Sequence, residues 1–149
     1  MNEKTRVEKL NVVLADTYAV FMLTQNIHWN IVGSNFYGVH KMTQVHYEEI
    51  ADAIDIIAER IRALGHPAPS GFNVYTALTT VPSVDTTMLS NHAVCLHLID
   101  AHQQVCQSLK KVITTADAEN DSATSDLMIE RLQAHEKYIW MLTATISGS

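Results

Sequence analysis

The sequence predicts an all-α protein, a four-helix bundle with one long crossover, and three observations carry the prediction. Glycine and proline weaken helix interiors and gather at connections. Residues 1–32 contain neither, Gly33 and Gly38 flank a short polar break, and Pro67, Pro69 and Pro82 all fall between Gly65 and Asp85. The stretches between these breaks repeat apolar residues at helical spacing. The connections alternate short, long, short, with about 20 residues joining helices two and three, which is the loop pattern of a bundle with one crossover.

Each element follows from its own residues. In helix one Leu10, Val12, Val13, Leu14, Val20, Phe21, Met22, Leu23 and Ile27 point in several directions. More than one side of it should therefore be covered, which suggests oligomerisation. Helix two is predicted over Val39 to Leu64, with Ile50, Ile54, Ile57, Ile61 and Leu64 as a single buried stripe. The crossover is expected to hold a small extra helix near Val74 to Leu78. From Ser83 to Ser147 there is no glycine or proline, so this half is predicted to be helical too. Leu89, Ala93, Leu96, Ile99, Cys106, Leu109 and Ile113 form the expected face of helix three. The polar interval TADAENDSATSD at 115–126 is the predicted turn, with Ser122 or Ser125 as N-cap of helix four. That helix carries the stripe Met128, Leu132, Ile139, Leu142 and Ile146.

Composition narrows the function. The chain has 149 residues, 47% of them apolar, enough for one domain spanning 1–149 to bury a core of its own. Its formal charge of −6 offers nothing to nucleic acid or to an anionic membrane. Cys95 and Cys106 would stand about 16 Å apart along one helix, too far for a bridge, and are expected to be reduced core thiols. No apolar segment follows a basic start, and no apolar run reaches the ~18 residues of a spanning helix. The expectation is a soluble, cytoplasmic protein. H-E-x-x-H, C-x-x-C, G-x-S-x-G and phosphate-loop patterns are missing, which removes support for zinc hydrolase, redox thiol, serine hydrolase and nucleotide-binding readings.

The densest group of potential metal ligands runs from His28 to Glu59. Imidazole and carboxylate together suit iron, zinc or manganese. His28 ends helix one; His40 opens helix two with Gln44 one turn on, and Asp55 and Glu59 lie one turn apart near its far end. From His40 to Asp55 the helix rises about 22 Å, whereas the ligands of one centre converge within a few ångströms. One chain therefore cannot close the site. If two copies of helix two pack antiparallel about a two-fold axis near residue 50, position 44 faces 55 and position 40 faces 59, making two identical inter-subunit sites. The competing reading is a solvated face, with Asp55 and Glu59 paired to Arg60 or Arg62. His46, His66, His92, His97, His102 and His135 show no partner pattern and are read as structural.

Three motifs in order, HWNIVGSNFYGVH at His28 to His40, D-x-x-A-E-R-I at Asp55 to Ile61 and HEKYIWML at His135 to Leu142, resemble the Dps family, the mini-ferritins, over nearly the whole chain. The resemblance implies a ferritin-like bundle assembled into a hollow dodecamer that acts as a ferroxidase. Such a cage oxidises Fe(II), usually with hydrogen peroxide, and stores the ferric product. It implies His28 and His40 as histidine ligands and Asp55 and Glu59 as carboxylates from the neighbouring subunit. Where the family has an aspartate this chain has Gln44, so the second iron should bind less well, and a degenerate or zinc-loaded site is the alternative. Trp29 resembles the family's site tryptophan, which takes up oxidising equivalents, or else is a buried interface aromatic. Asp121 and Asp126, with Glu130 a weaker candidate, stand where the family lines its three-fold pores. Members that bind DNA commonly use a Lys-rich tail; here only Lys4, Arg6 and Lys9 lie near the start and TATISGS ends the chain. A nucleoid DNA-binding role is accordingly the disfavoured alternative.

Overall fold

A computed structural model of the chain describes residues 3–148. It contains α1 (Glu3–Asn30), α2 (Phe36–Ala63), α3 (Phe72–Leu78), α4 (Asn91–Ala118) and α5 (Ser122–Ile146), and no strand among the described residues. The α1–α2 and α4–α5 hairpins pack through α1 against α4, and α2 closes the ring against α5. The short α3 of the crossover lies on α1. This is the predicted architecture. No helix among the described residues is long and apolar enough to cross a membrane.

The boundaries differ from expectation where local polar chemistry competes with the helix. Gly38 is not in the break but in the first turn of α2, which starts at Phe36. The first N–H groups of a helix have no intrahelical partner in any case, so glycine is tolerated there. The predicted helix three is α4, and it starts at Asn91, just after Leu89, the first residue of its expected face. Ser90 caps it by accepting from Ala93 N at 3.1 Å, and upstream the Asp85 carboxylate accepts from Thr87 N and Oγ1, a local turn that competes with helix formation. The interval 115–126 is mostly helical. Only Glu119, Asn120 and Asp121 separate α4 from α5, with Asn120 in the left-handed region at φ 59°. The N-cap of α5 is Asp121, not Ser122 or Ser125; its carboxylate accepts from Thr124 N at 3.1 Å.

Of the predicted α2 stripe, Ile50, Ile54, Ile57 and Ile61 are buried, and Leu64, the C-cap of the helix, is partly covered. On α4 Ile99, Cys106 and Leu109 are buried as expected, but Leu89 precedes the helix, Leu96 is exposed and Ala93 and Ile113 are only partly covered, while Val94, Cys95, Leu98, His102, Val105 and Val112 also face inward. On α5 Met128 and Leu142 are buried as expected, but Arg131, His135 and Tyr138 occupy the centre between them, with Leu132 and Ile139 only partly covered. Apolar periodicity cannot register polar side chains that find partners inside. Cys95 and Cys106 are buried free thiols, and burial pushes the Cys106 thiol up to about 11.

Two polar anchors hold the frame. Asp16 of α1 is fully buried and accepts from Thr79 Oγ1 (2.6 Å), Thr80 N (2.7 Å), Thr80 Oγ1 (2.7 Å) and Ser108 Oγ (2.6 Å). One carboxylate thus pins the residues that follow α3 in the crossover to α1 and α4. At the α4–α5 turn Arg6 pairs with Glu119 (2.8 Å) and Asp121 (3.2 Å), and Arg60 with Asp121 (3.0 Å). Burial alone would raise the Asp121 carboxyl, but the Thr124 hydrogen bonds and the charges of Arg60 and Arg6 outweigh it and hold it below the usual carboxylate range. Replacing Asp16 by Ala strands one buried donor, the Ser108 hydroxyl, at about 1–3 kcal/mol, and removes the acceptor of the more accessible Thr79 and Thr80 donors at a smaller cost. The expected result is a melting temperature lower by roughly 5–10 °C in calorimetry; an unchanged melting temperature would show that the crossover is held by other contacts.

Candidate metal centre

The site begins at the α1–α2 hairpin, where the last turn of α1 meets the second turn of α2. His28 Nδ1 lies 2.7 Å from the carbonyl oxygen of His40, and His40 Nδ1 lies 2.7 Å from the carbonyl oxygen of His28. A carbonyl only accepts, so both imidazoles carry their proton on Nδ1 and donate it. Both Nε2 atoms then present bare lone pairs, the form in which histidine binds metal. The rings stack with centroids 3.9 Å apart and planes 11° from parallel. Phe36 stacks on His40 at 5.0 Å and the edge of the Tyr47 ring meets His28 at 5.1 Å. Thr43, fully buried, donates to the carbonyls of Val39 (2.7 Å) and His40 (3.1 Å). The sequence singled out both histidines but not Phe36, Thr43 or Tyr47, because nothing in their spacing distinguishes a ring that orients a ligand from one that fills a core.

Asp55 and Glu59 are exposed on α2, far along the helix from His40. Among the described residues no three His, Cys, Asp or Glu side chains of the single chain are placed to hold one metal ion. The four residues therefore lie in two separate places on the chain, His28 stacked on His40 and Asp55 one turn from Glu59 on α2. Arg60 is directed to Thr124 (2.9 Å) and Asp121 (3.0 Å), at the far anchor of the bundle.

Gln44 donates from Nε2 to Glu48 Oε1 at 2.9 Å. A carboxylate can only accept, so the amide nitrogen must face Glu48 and the amide oxygen is the end left for any cation. Trp29 is 66% exposed on the single chain, the state of a side chain buried only by a neighbour or not at all. Asp121 is engaged by Arg6, Arg60 and Thr124, whereas Asp126 and Glu130 are exposed on α5.

A ferritin-like domain model matches residues 7–148. The chain is 32% identical over 140 residues to the DNA protection during starvation protein of Helicobacter pylori, covering 94% of this chain and 97% of that protein. DpsC from Streptomyces coelicolor superposes with a TM-score of 0.94 at 26% identity, covering 100% of this chain and 89% of that one. The Dps protein of Vibrio cholerae, described as a member of a broad superfamily of ferritin-like diiron-carboxylate proteins, gives a TM-score of 0.89 at 26% identity over 97% of this chain and 90% of that one. From the domain match, the full-length relatives and the shared helical frame, the chain belongs to the ferritin-like proteins and, within them, to the Dps family.

Proposed function

We propose that the protein is a ferroxidase and iron-storage mini-ferritin whose split ligand set is completed by two-fold pairing of copies, and a hollow, closed dodecamer built from such pairs is the assembly we assign to it. The observation that carries this reading is the reciprocal His28–His40 exchange, which leaves two bare Nε2 atoms at one end of α2 while the carboxylates stand at the other. An antiparallel pairing of two α2 helices about residue 50 brings His40 opposite Glu59 and Gln44 opposite Asp55 of the second copy. The exposed apolar side chains Val45 and Ile56 lie on α2 and Met22 on α1, available to be covered when copies pair.

Fe(II) is the substrate. His28 and His40 supply neutral nitrogen donors, and Asp55 and Glu59 supply the anionic oxygens that favour the Fe(III) product. Two Fe(II) ions give two electrons to one hydrogen peroxide, which with two protons leaves as two waters; dioxygen is the other candidate oxidant. Oxidising iron and storing it inside the shell withdraws both reactants of hydroxyl-radical formation. Trp29 is the auxiliary residue for stray oxidising equivalents, and Asp126 is the better-placed pore acid, since Asp121 is engaged by arginines. The reading places the protein in the cytoplasm, where Fe(II) is kept reduced.

The second reading is a cage whose site holds zinc or only one metal. It is favoured by Gln44, whose amide offers one neutral oxygen where a carboxylate would add a charge. A nucleoid DNA-binding role is opposed by the chain's net charge of −6, because non-specific DNA binding requires cations that neutralise phosphate.

Light scattering should report one species of roughly twelve times the 16.6 kDa chain mass; a stable monomer would contradict the inter-subunit site. His28→Ala and His40→Ala should slow Fe(II) oxidation on the order of tenfold or more while the assembly persists, and wild-type rates in both would make these residues structural. Gln44→Asp should tighten the second step of an anaerobic Fe(II) titration. Superimposable titrations of wild type and Gln44→Asp would place Gln44 away from the metals.

A further inference from the structure

The core between α4 and α5 is polar at its centre. His102 and His135 are both fully buried, with their Nδ1 atoms 2.9 Å apart. Arg131, also buried, brings Nη2 to 3.3 Å from His135 Nε2. A guanidinium has only donors. His135 Nε2 must therefore accept, its proton must sit on Nδ1, and that N–H donates to His102 Nδ1. His102 in turn carries its proton on Nε2, which has no hydrogen-bond partner among the described residues. The order runs one way, from guanidinium to His135 to His102. Arg131 is held from α2 by Glu49, which also accepts from the Tyr138 hydroxyl.

In this arrangement every nitrogen that could take a proton is already accepting a hydrogen bond. A proton added to His135 Nε2 would set an N–H against the guanidinium, and one added to His102 Nδ1 would set two N–H groups against each other. Burial acts in the same direction, lowering His102 to about 3 and His135 well below its ordinary value, with His46 and Arg131 adding to the effect on His102 and His102 and Arg131 on His135. The other charged or titratable groups around the pair are Glu49 and His46 from α2 and Tyr138 from α5; burial lowers His46 itself to about 4, with Lys137 acting on it. Burial alone would raise the Glu49 carboxyl, but the hydrogen bonds from Arg131 and Tyr138 and the Arg131 charge hold it below the usual range. It is thus committed to Arg131 and Tyr138. From α1, the buried carboxylate Asp16 is taken up by Thr79, Thr80 and Ser108.

We propose that the His102–His135 pair is an acid-triggered latch on the α4–α5 seam: interlocked while neutral, and unable to take up protons without separating and loosening, through Arg131 and Glu49, the closure against α2. The sign follows from linkage. Both histidines bind protons more weakly in the folded bundle than in the unfolded chain, so the stabilisation is complete above the ordinary value of 6.5 and is lost as the pH falls from there toward the folded values. Within that window opening takes up two protons at the pair, and its equilibrium constant rises up to about 100-fold per pH unit.

Two measurements test this. Hydrogen exchange at the imidazole C2 position, read by mass spectrometry on the intact assembly, reports each histidine separately. His102 and His135 should show no protonation step between pH 8 and 5; ordinary titration of both would overturn the proposal. Amide exchange of the α4 and α5 segments around these residues, corrected for intrinsic rates, should lose protection steeply between pH 6.5 and 5. The double variant His102→Leu, His135→Leu should reduce that pH dependence by about two protons. A variant with the wild-type pH dependence would contradict the latch. Should the variant not fold, protection in the wild-type segments that stays flat down to pH 5 would contradict it equally.

Discussion

The exchange of hydrogen bonds between His28 and His40 joins local structure to chemistry. Each ring donates to the carbonyl oxygen of the other residue at 2.7 Å, so one pair of contacts closes the α1–α2 hairpin and fixes both tautomers. A backbone carbonyl at the end of α1 and another in the second turn of α2 serve as the orienting acceptors that metal-binding histidines commonly find in carboxylates or main chain. The hairpin is short because its breaks lie on either side: α1 ends at Asn30, Gly33 turns at φ 101°, and α2 resumes at Phe36. Shifting either helix by one residue would rotate its histidine by about 100° and break both bonds.

On the proposed reading, the length of α2 sets the quaternary requirement. A straight, uninterrupted helix carries His40 and Glu59 apart, and its inward face is committed to Ile50, Ile54, Ile57 and Ile61. The carboxylates are therefore displayed outward and away from the histidines. The frame behind this helix is held by polar groups: Asp16 under the crossover, Arg6 and Arg60 at the α4–α5 turn, and Glu49 between Arg131 and Tyr138. Such groups add less net stability than their number suggests, because desolvation offsets much of each attraction. They do fix which faces meet, since a buried carboxylate without its donors is costly.

Much of this was legible in the sequence, and the misses have a common cause. Glycine and proline positions gave the helix count and the crossover, and apolar spacing gave the stripe of α2, because those signals act through backbone geometry and apolar burial. What escaped was decided by side chains bonding to neighbours in space. Asp121 won the cap of α5 over Ser122 and Ser125 because it also meets Arg6 and Arg60. His102 and His135 looked like isolated histidines because their partners are each other, on helices far apart in the chain. In the candidate site, His28, His40, Asp55 and Glu59 stood out by residue type. The tautomers set by two carbonyls and the grip of Glu48 on Gln44 are products of the fold and have no linear signature.

The central claim is that His28 and His40 of one copy work with Asp55 and Glu59 of another, and subunit mixing tests it most directly. One chain carrying His28→Ala and His40→Ala and a second carrying Asp55→Ala and Glu59→Ala should each form inactive shells. In a two-fold pair of unlike chains one site loses all four ligands and the other keeps all four. Co-assembly from equal amounts at random should therefore restore Fe(II) oxidation to about one quarter of the wild-type rate per site. Mixed shells that are as inactive as their parents would show that the ligands do not meet across the two-fold axis.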